Sequence, residues 1–293
     1  MNTTIDYKCL KCLIEKNLNM DKIPLSDDRK TLYLKDFLKL LADAPDTLSA
    51  PEVVEQITSL QTKYQITAFD YTEIKKYYNH LLLQLEEEIY NKIVHADKPL
   101  LTACKYALTG NYIDFGTNLN INEDMLHSLI DSVDSISFDT TEFYNFEQEL
   151  KTCKELVYLT DNCGEIVFDK LLIKYLKEHY KDMNITAIVR GKNVLNDATK
   201  EDAVQVHLND FANVYDNGTG IAGTVLSRIN SQSLSLIDNA DMIISKGMGN
   251  FETLQGCNKN IYYLFMCKCE KICSIFQSPL FTYMFLNEKR LER

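Results

Sequence analysis

ELVYLTDNCGEIVFDKLLIKYLKEH, residues 155–179, sets three patterns in a row. Leu156–Thr160 is an apolar run of strand length, Asp161-Asn162-Cys163-Gly164-Glu165 is a turn built on a glycine, and the rest spaces its apolar residues as a helix does. The unit recurs downstream, with apolar runs at Ile185–Val189, Ala212–Tyr215, Met242–Ser245 and Ile261–Met266. Strands that are nearly all apolar and alternate with helices belong to a parallel sheet covered on both faces, because neither side meets water. Residues 146–293 are therefore predicted as a Rossmann-like, open, mainly parallel α/β sheet with helices on both faces. Ligands of such sheets sit beyond the carboxyl ends of the strands, so the residues after each run are where chemistry is sought.

Upstream the punctuation changes. Eight of the ten Gly fall after residue 160 and four of the five Pro before residue 100. An all-α region is predicted over 1–145, with the boundary between 140 and 152. Ile74, Tyr77, Tyr78, Leu81, Leu82, Leu85, Ile89 and Ile93 step by three and four along one face. This predicts one long amphipathic helix, started by Asp70 or Thr72 as its cap. Shorter helices are expected near 6–19, 29–42, 51–63, 97–109 and 122–132, and GNYIDFG (110–116) reads as a loop.

The 293 residues are 45% hydrophobic and 25% charged, a globular composition able to bury one large core or two small ones. A net charge of −11 repels phosphate backbones, which excludes a general nucleic-acid binder, although a few lysines in a cleft can still hold one small phosphate. No run approaches the roughly 18–20 apolar residues that span a bilayer, and the N-terminus has no long apolar core after a basic start. A cytoplasmic protein without a membrane partner is expected. Nine scattered Cys suit reduced thiols better than a disulfide framework. Cys9-x-x-Cys12 has no second CxxC to complete a zinc site and reads first as buried structural thiols, with a metal held by distant partners or a redox pair as alternatives. The five His residues lack metal-ligand spacing and read as structural.

The strand ends carry the polar chemistry. Asp161 and Asn162 put two hard oxygen donors at the first strand tip, and Asn196-Asp197 lies beyond the second, where Asp197 can supply a second carboxylate to a Mg²⁺ or Mn²⁺ site. Both pairs have a plainer reading, as a turn and as a helix cap respectively. The fourth strand ends in Ser245-Lys246-Gly247-Met248-Gly249-Asn250-Phe251-Glu252, whose Gly-x-Gly backbone can approach an anion but is no Walker loop. Lys268 follows the fifth strand. Acidic groups, two lysines and backbone donors at one sheet edge fit metal-assisted phosphoryl chemistry.

DNCGEIVFD (161–169), LNDATKEDA (195–203), ADMIISKGMGNFETL (240–254) and Lys268-Cys269 resemble, in that order, the signature segments of the damage-control phosphatases, whose eukaryotic relatives include acidic-residue methyltransferase-like proteins. CLKCLI near the start and GNYIDFG resemble that family's microbial branch, so the likeness spans most of the chain. It implies a helical part before an α/β domain, and a hydrolase of small phosphorylated metabolites, notably sugar phosphates. It also implies one divalent cation (Mg²⁺, Mn²⁺, Co²⁺ or Ni²⁺) on Asp161, Asn162 and Asp197. Asn250, with the backbone of Met248, Gly249 and Phe251, and Lys268 match substrate-phosphate contacts; Glu165, Asn196 and Lys246 complete the expected substrate-binding set. The catalytic set is Asp161, Asn162, Asp197 and Lys268. The chain departs from the pattern in Cys163, where Ala is usual, in Met248, where Gln is common, and in an Asn-Glu-rich tail.

In the expected reaction a metal-activated water attacks phosphorus in line while Lys246 and Lys268 offset charge on the equatorial oxygens; Asp161 as a covalent nucleophile is the other version. Two further readings come from other classes. One is an S-adenosylmethionine-dependent carboxyl methyltransferase, which the acidic cluster argues against because that transfer needs no divalent ion. The other is a non-catalytic phosphometabolite-binding protein.

Overall fold

The computed structural model describes residues 3–17, 19–112 and 123–291. Helices α1 (Tyr7–Asn17), α2 (Asp27–Asp43) and α3 (Ala50–Lys63) enclose a small core of their own around Cys9, Leu13, Phe37, Val53 and Ile57. Ser49 and Glu52 start α3 with a reciprocal capping box, Glu52 accepting from the Ser49 N–H at 2.8 Å. Five helices follow: α4 (Thr72–Leu83), α5 (Glu86–Val94), α6 (Pro99–Gly110), α7 (Glu123–Asp131) and α8 (Thr141–Leu150). The α/β part then runs β1 (Glu155–Leu159), α9 (Glu165–His179), β2 (Asn184–Val189), α10 (Lys200–Gln205), β3 (Asn213–Asp216), α11 (Ser231–Asp238), β4 (Met242–Lys246), α12 (Met248–Leu254), β5 (Ile261–Met266), α13 (Glu270–Phe276) and β6 (Tyr283–Asn287).

The predicted α/β architecture is the observed one. The sheet order is β3-β2-β1-β4-β5-β6, parallel throughout except for β6, which lies antiparallel on β5. Alternate residues of each strand feed opposite cores. Leu156, Tyr158, Ile185, Ala187 and Ile244 join α4–α10, whereas Val157, Leu159, Ile188, Ile243 and Tyr263 join α11–α13. The first of these cores is continuous from the N-terminal helices into the sheet.

Three elements differ from the sequence expectation. The single helix over 74–93 is two, because Leu85 N–H bonds Leu82 at i−3 and the chain tightens there before Ile89 resumes i−4 bonding to Leu85. Both halves bury the same stripe, so the periodicity is uninterrupted while the axis is not. Neither Asp70 nor Thr72 is the cap: Tyr71 holds that position without a side-chain cap bond, and Asp70, one residue earlier, accepts from Thr72 N–H at 2.9 Å and so satisfies one free donor of the first turn. Helix α8 and strand β6 are additional. Of the predicted 110–116 loop, residues 113–116 lie outside the described residues.

All nine Cys are free thiols; Cys9 is buried and Cys12 exposed. Among the described residues no helix is long and apolar enough to cross a membrane.

Glu252 on α12 gives the fold a pH dependence. Burial pushes its carboxyl up to about 7, with the Lys271 and Lys16 ammonium groups only partly offsetting this. The folded chain thus binds more protons than the unfolded one between about pH 4.5 and 7, and this group's contribution to stability declines as pH rises through that window. Relative to wild type, Glu252→Gln should be neutral below the window and stabilising above pH 7 by roughly 1–3 kcal/mol, read from urea denaturation at a series of pH values.

Candidate functional site

The strand order reverses between β1 and β4, so the loops leaving these neighbours diverge and open a crevice at their carboxyl ends. The loops after β1 and β2 are joined by backbone bonds. Cys163 N–H donates to Asn196 O at 2.8 Å, Ala198 N–H donates to Asp161 O at 2.7 Å, and Asn162 bridges Asp197. Asp161, Asn162 and Asp197 therefore come together. The cap of α10 is Thr199, paired with Asp202 in a capping box, so Asp197 is not needed as a cap. The Asp161 carboxylate likewise accepts from the side chains of Asn111 (3.2 Å) and Asn162 (2.8 Å) rather than from the first turn of α9.

Arg190, immediately after β2, is 2% exposed and ties the crevice together. Its Nε donates to Asp197 Oδ2 at 2.6 Å, and its Nη1 to Gly223 O at 3.1 Å and Asn250 Oδ1 at 3.0 Å. Nη2 is buried without a hydrogen-bond acceptor, 3.6 Å from Asp161 Oδ1. Asn250 is saturated: Oδ1 also accepts from Thr224 Oγ1 at 2.8 Å, and Nδ2 donates to the carbonyls of Thr160 and Lys246.

Beneath Asn162 lies a second charged layer. Lys246 spends its three N–H donors on Glu165 (2.8 Å), Asp169 (2.6 Å) and Ala107 O (2.8 Å). Glu165 in turn accepts from Asn162 Nδ2 at 2.9 Å and from Asn111 Nδ2 at 3.2 Å. With its nitrogen donating to Glu165 and Asp161, the Asn162 amide keeps Oδ1 as an acceptor able to coordinate a cation. Burial pushes Asp169 up to about 6, the Glu165 charge adds to this, and Lys246 opposes it. Asp161 is driven well above the ordinary carboxylate range by burial and then by repulsion from Glu165 and Asp197, which Arg190 and Lys268 do not cancel.

A family model, the damage-control phosphatase ARMT1-like domain, matches residues 5–281. The chain belongs to the damage-control phosphatase family. An uncharacterised protein of Methanocaldococcus jannaschii is 30% identical over 92% of this chain and 90% of its own length. A damage-control phosphatase of Archaeoglobus fulgidus is 30% identical over 90% of this chain and 92% of its own. Another from Pyrococcus horikoshii is 28% identical over 94% and 95%. The crystal structure of a DUF89 family protein from Pyrococcus horikoshii superimposes with a TM-score of 0.82 at 24% identity, covering 98% of this chain and 99% of that one, a likeness of fold.

This damage-control phosphatase family member distributes the residues singled out from sequence over two layers. Asp161, Asn162, Asp197 and half-buried Lys268 line the crevice, with Asn196 beside them; its Nδ2 is buried without a partner. Glu165, Lys246 and Asn250 are fully buried and saturated by protein groups, so here they position neighbours rather than present free donors to a substrate. Phe251 is core, packed on Tyr263 and Phe265. Met248 Sδ accepts from Lys268 N–H at 3.3 Å, and Gly249 lets the 222–223 backbone pass where a Cβ would meet Ala222 O at 2.0 Å. Sequence reasoning gave no role to Arg190, Asn111 or Asn79, whose Oδ1 accepts from Gly164 N–H at 2.6 Å.

The donor set fits a hard divalent cation. Four carboxyl groups, Asp161, Glu165, Asp169 and Asp197, stand against three cations, Lys246, Arg190 and Lys268, and the upward push on Asp161 is the mark of a site short of positive charge. Among the described residues no three His, Cys, Asp or Glu side chains gather to hold a metal. A cation here would draw on two carboxylates and one amide oxygen, with water completing the shell.

Gly247 is required by the same geometry. It has φ 78°, and a Cβ there would lie 2.0 Å from Asp161 Oδ2. Gly247→Ala should displace that carboxylate and lower kcat/KM by about 100-fold or more, measured as phosphate release, since misplacement by about 1 Å has that cost.

Proposed function

We propose that the protein is a metal-dependent phosphomonoester hydrolase of small phosphorylated metabolites, sugar phosphates among them. The observation that carries this reading is the convergence of Asp161, Asn162 and Asp197 in a crevice short of positive charge, bordered by Lys268 and by the unfilled Nη2 of Arg190. Asp161, Asn162 Oδ1 and Asp197 would hold the cation. When bound it supplies Lewis-acid polarisation of a phosphoryl oxygen and a water acidic enough to attack near neutral pH.

The chain's own groups do the rest. Arg190 Nε fixes Asp197, and its Nη2 is the buried donor available to a phosphoryl oxygen at the crevice floor. Glu165 and Asp161 hold the nitrogen of Asn162, so its oxygen is the atom offered outward. Lys268 adds charge at the rim, since its ammonium already lowers the cost of ionising Asp161.

Inorganic phosphate released from a panel of small phosphate esters, with Mg²⁺, Mn²⁺, Co²⁺ and Ni²⁺ against a chelator control, tests the reading. Sustained metal-dependent turnover is expected. Binding without turnover would favour a carrier of phosphorylated metabolites, and methyl transfer from S-adenosylmethionine would favour the methyltransferase. Lys268→Ala should cost on the order of 2–4 kcal/mol in kcat/KM, the scale of one positioned donor in a water-poor site. Lys268→Arg should restore only part of this, because a planar fork does not replace a compact ammonium. Unchanged kinetics in Lys268→Ala would return this residue to the solvated surface.

A further inference from the structure

A cavity of about 580 Å³ lies between α3, the connector that follows it and the loop leading from β2 to Asp197. That is the size of a small-molecule site. One wall is α3 with Phe69 and Tyr71 of the connector, and the facing wall includes Lys192 and Leu195. Phe69 is 60% exposed and Leu195 49%, so each presents apolar surface that the fold itself does not cover. Leu195 also holds φ 46°, a left-handed backbone that costs a branched side chain roughly 1–3 kcal/mol and persists where surrounding structure enforces it.

The charges in the cavity wall are nearly all spent. Glu55 pairs with Arg228 at 3.1 Å, Lys75 with Asp202 at 2.6 Å, and Asp70 accepts from Thr72 N–H. Lys192 forms no ion pair among the described residues. The wall is also continuous with the phosphate site. Asp197 N–H donates to Val194 O at 3.0 Å, and between Leu195 and Asp197 stands Asn196, 3% exposed with its Nδ2 unpartnered.

We infer that this cavity takes the organic part of the phosphorylated substrate, a leaving group that lays a flat, largely apolar ring face against Phe69 and Leu195 and turns its polar edge to Lys192. The inference rests on the phosphatase reading, because the phosphate of the same molecule would lie at Asp161. One short loop would then serve both ends of the substrate, Leu195 meeting the ring and Asp197 the cation.

Two non-hydrolysable probes, phenylphosphonate and methylphosphonate, separate the two ends when titrated calorimetrically into the intact chain with Mn²⁺ present. The wild-type chain should bind phenylphosphonate about tenfold more tightly. Phe69→Ala combined with Leu195→Gly should abolish that preference while methylphosphonate affinity stays within about twofold. Both side chains are exposed, and glycine relieves the left-handed backbone, so this variant keeps its fold. Methylphosphonate binding without a ring preference, or a preference that survives the double variant, would overturn the inference alone. Failure of both phosphonates to bind would overturn the phosphatase reading and the inference with it.

Discussion

Asp161→Asn is expected to lower metal-dependent phosphate release by at least roughly 10²–10³-fold while raising the melting temperature. The two effects have one cause. The folded chain disfavours the Asp161 carboxylate, because burial, Glu165 and Asp197 all oppose its ionisation. A neutral isostere removes that repulsion and stabilises the cation-free chain, but it also removes an anionic ligand, so a bound water becomes less acidic. Thermal denaturation in chelator and phosphate release at saturating Mn²⁺ give the two readouts. A variant that retains turnover would put the cation elsewhere, and one that loses stability would mean the carboxylate is needed by the fold.

The second large effect is at Arg190. Arg190→Ala breaks a 2.6 Å buried ion pair with Asp197 and takes the donor from the Gly223 carbonyl, while Asn250 Oδ1 keeps only Thr224 Oγ1. A loss of about 3–5 kcal/mol is expected, the cost of leaving a buried charge without its partner. Arg190→Lys keeps a charge but cannot reach Asp197, Gly223 and Asn250 together, so it should fold with a smaller loss and still show depressed kcat. Urea denaturation gives the first number and steady-state kinetics the second. Wild-type kcat in Arg190→Lys would mean that the fork geometry has no part in the reaction.

What could be read from sequence follows burial. The inner strands are legible because both faces of each are covered and their runs are nearly all apolar, as in β4 and β5, where every residue is buried. The less covered edge strand β3 is legible from its place in the alternation of strand and helix. Strand β6 sits at the sheet edge with a broken burial pattern inside an Asn-Glu-rich tail, and its short run does not stand out. Helix α8 has only Phe143, Phe146 and Leu150 as its buried apolar positions.

The site divides in the same way. Asp161, Asn162 and Asp197 are legible because a carboxylate beside an amide, common in any single turn, recurs here beyond two strands of the same sheet. Asn79 and Asn111 are not, because their meaning lies in partners 85 and 50 residues away, Gly164 and Asp161. Lys246 marks the limit of motif reading. Sequence places it at a strand end beside a Gly-x-Gly loop, but only the packing of α6 and α9 against β4 sends its ammonium into the interior, toward Ala107, Glu165 and Asp169.

Anomalous diffraction from crystals grown with Mn²⁺ tests the central claim most directly. One Mn²⁺ per chain is expected, bound by Asp161, the Asn162 amide oxygen and Asp197, each at about 2.0–2.6 Å, with water filling the remaining positions. A Mn²⁺ peak away from these three residues, or carboxylates of Asp161 and Asp197 that stay more than about 7 Å apart at saturating metal, would contradict it.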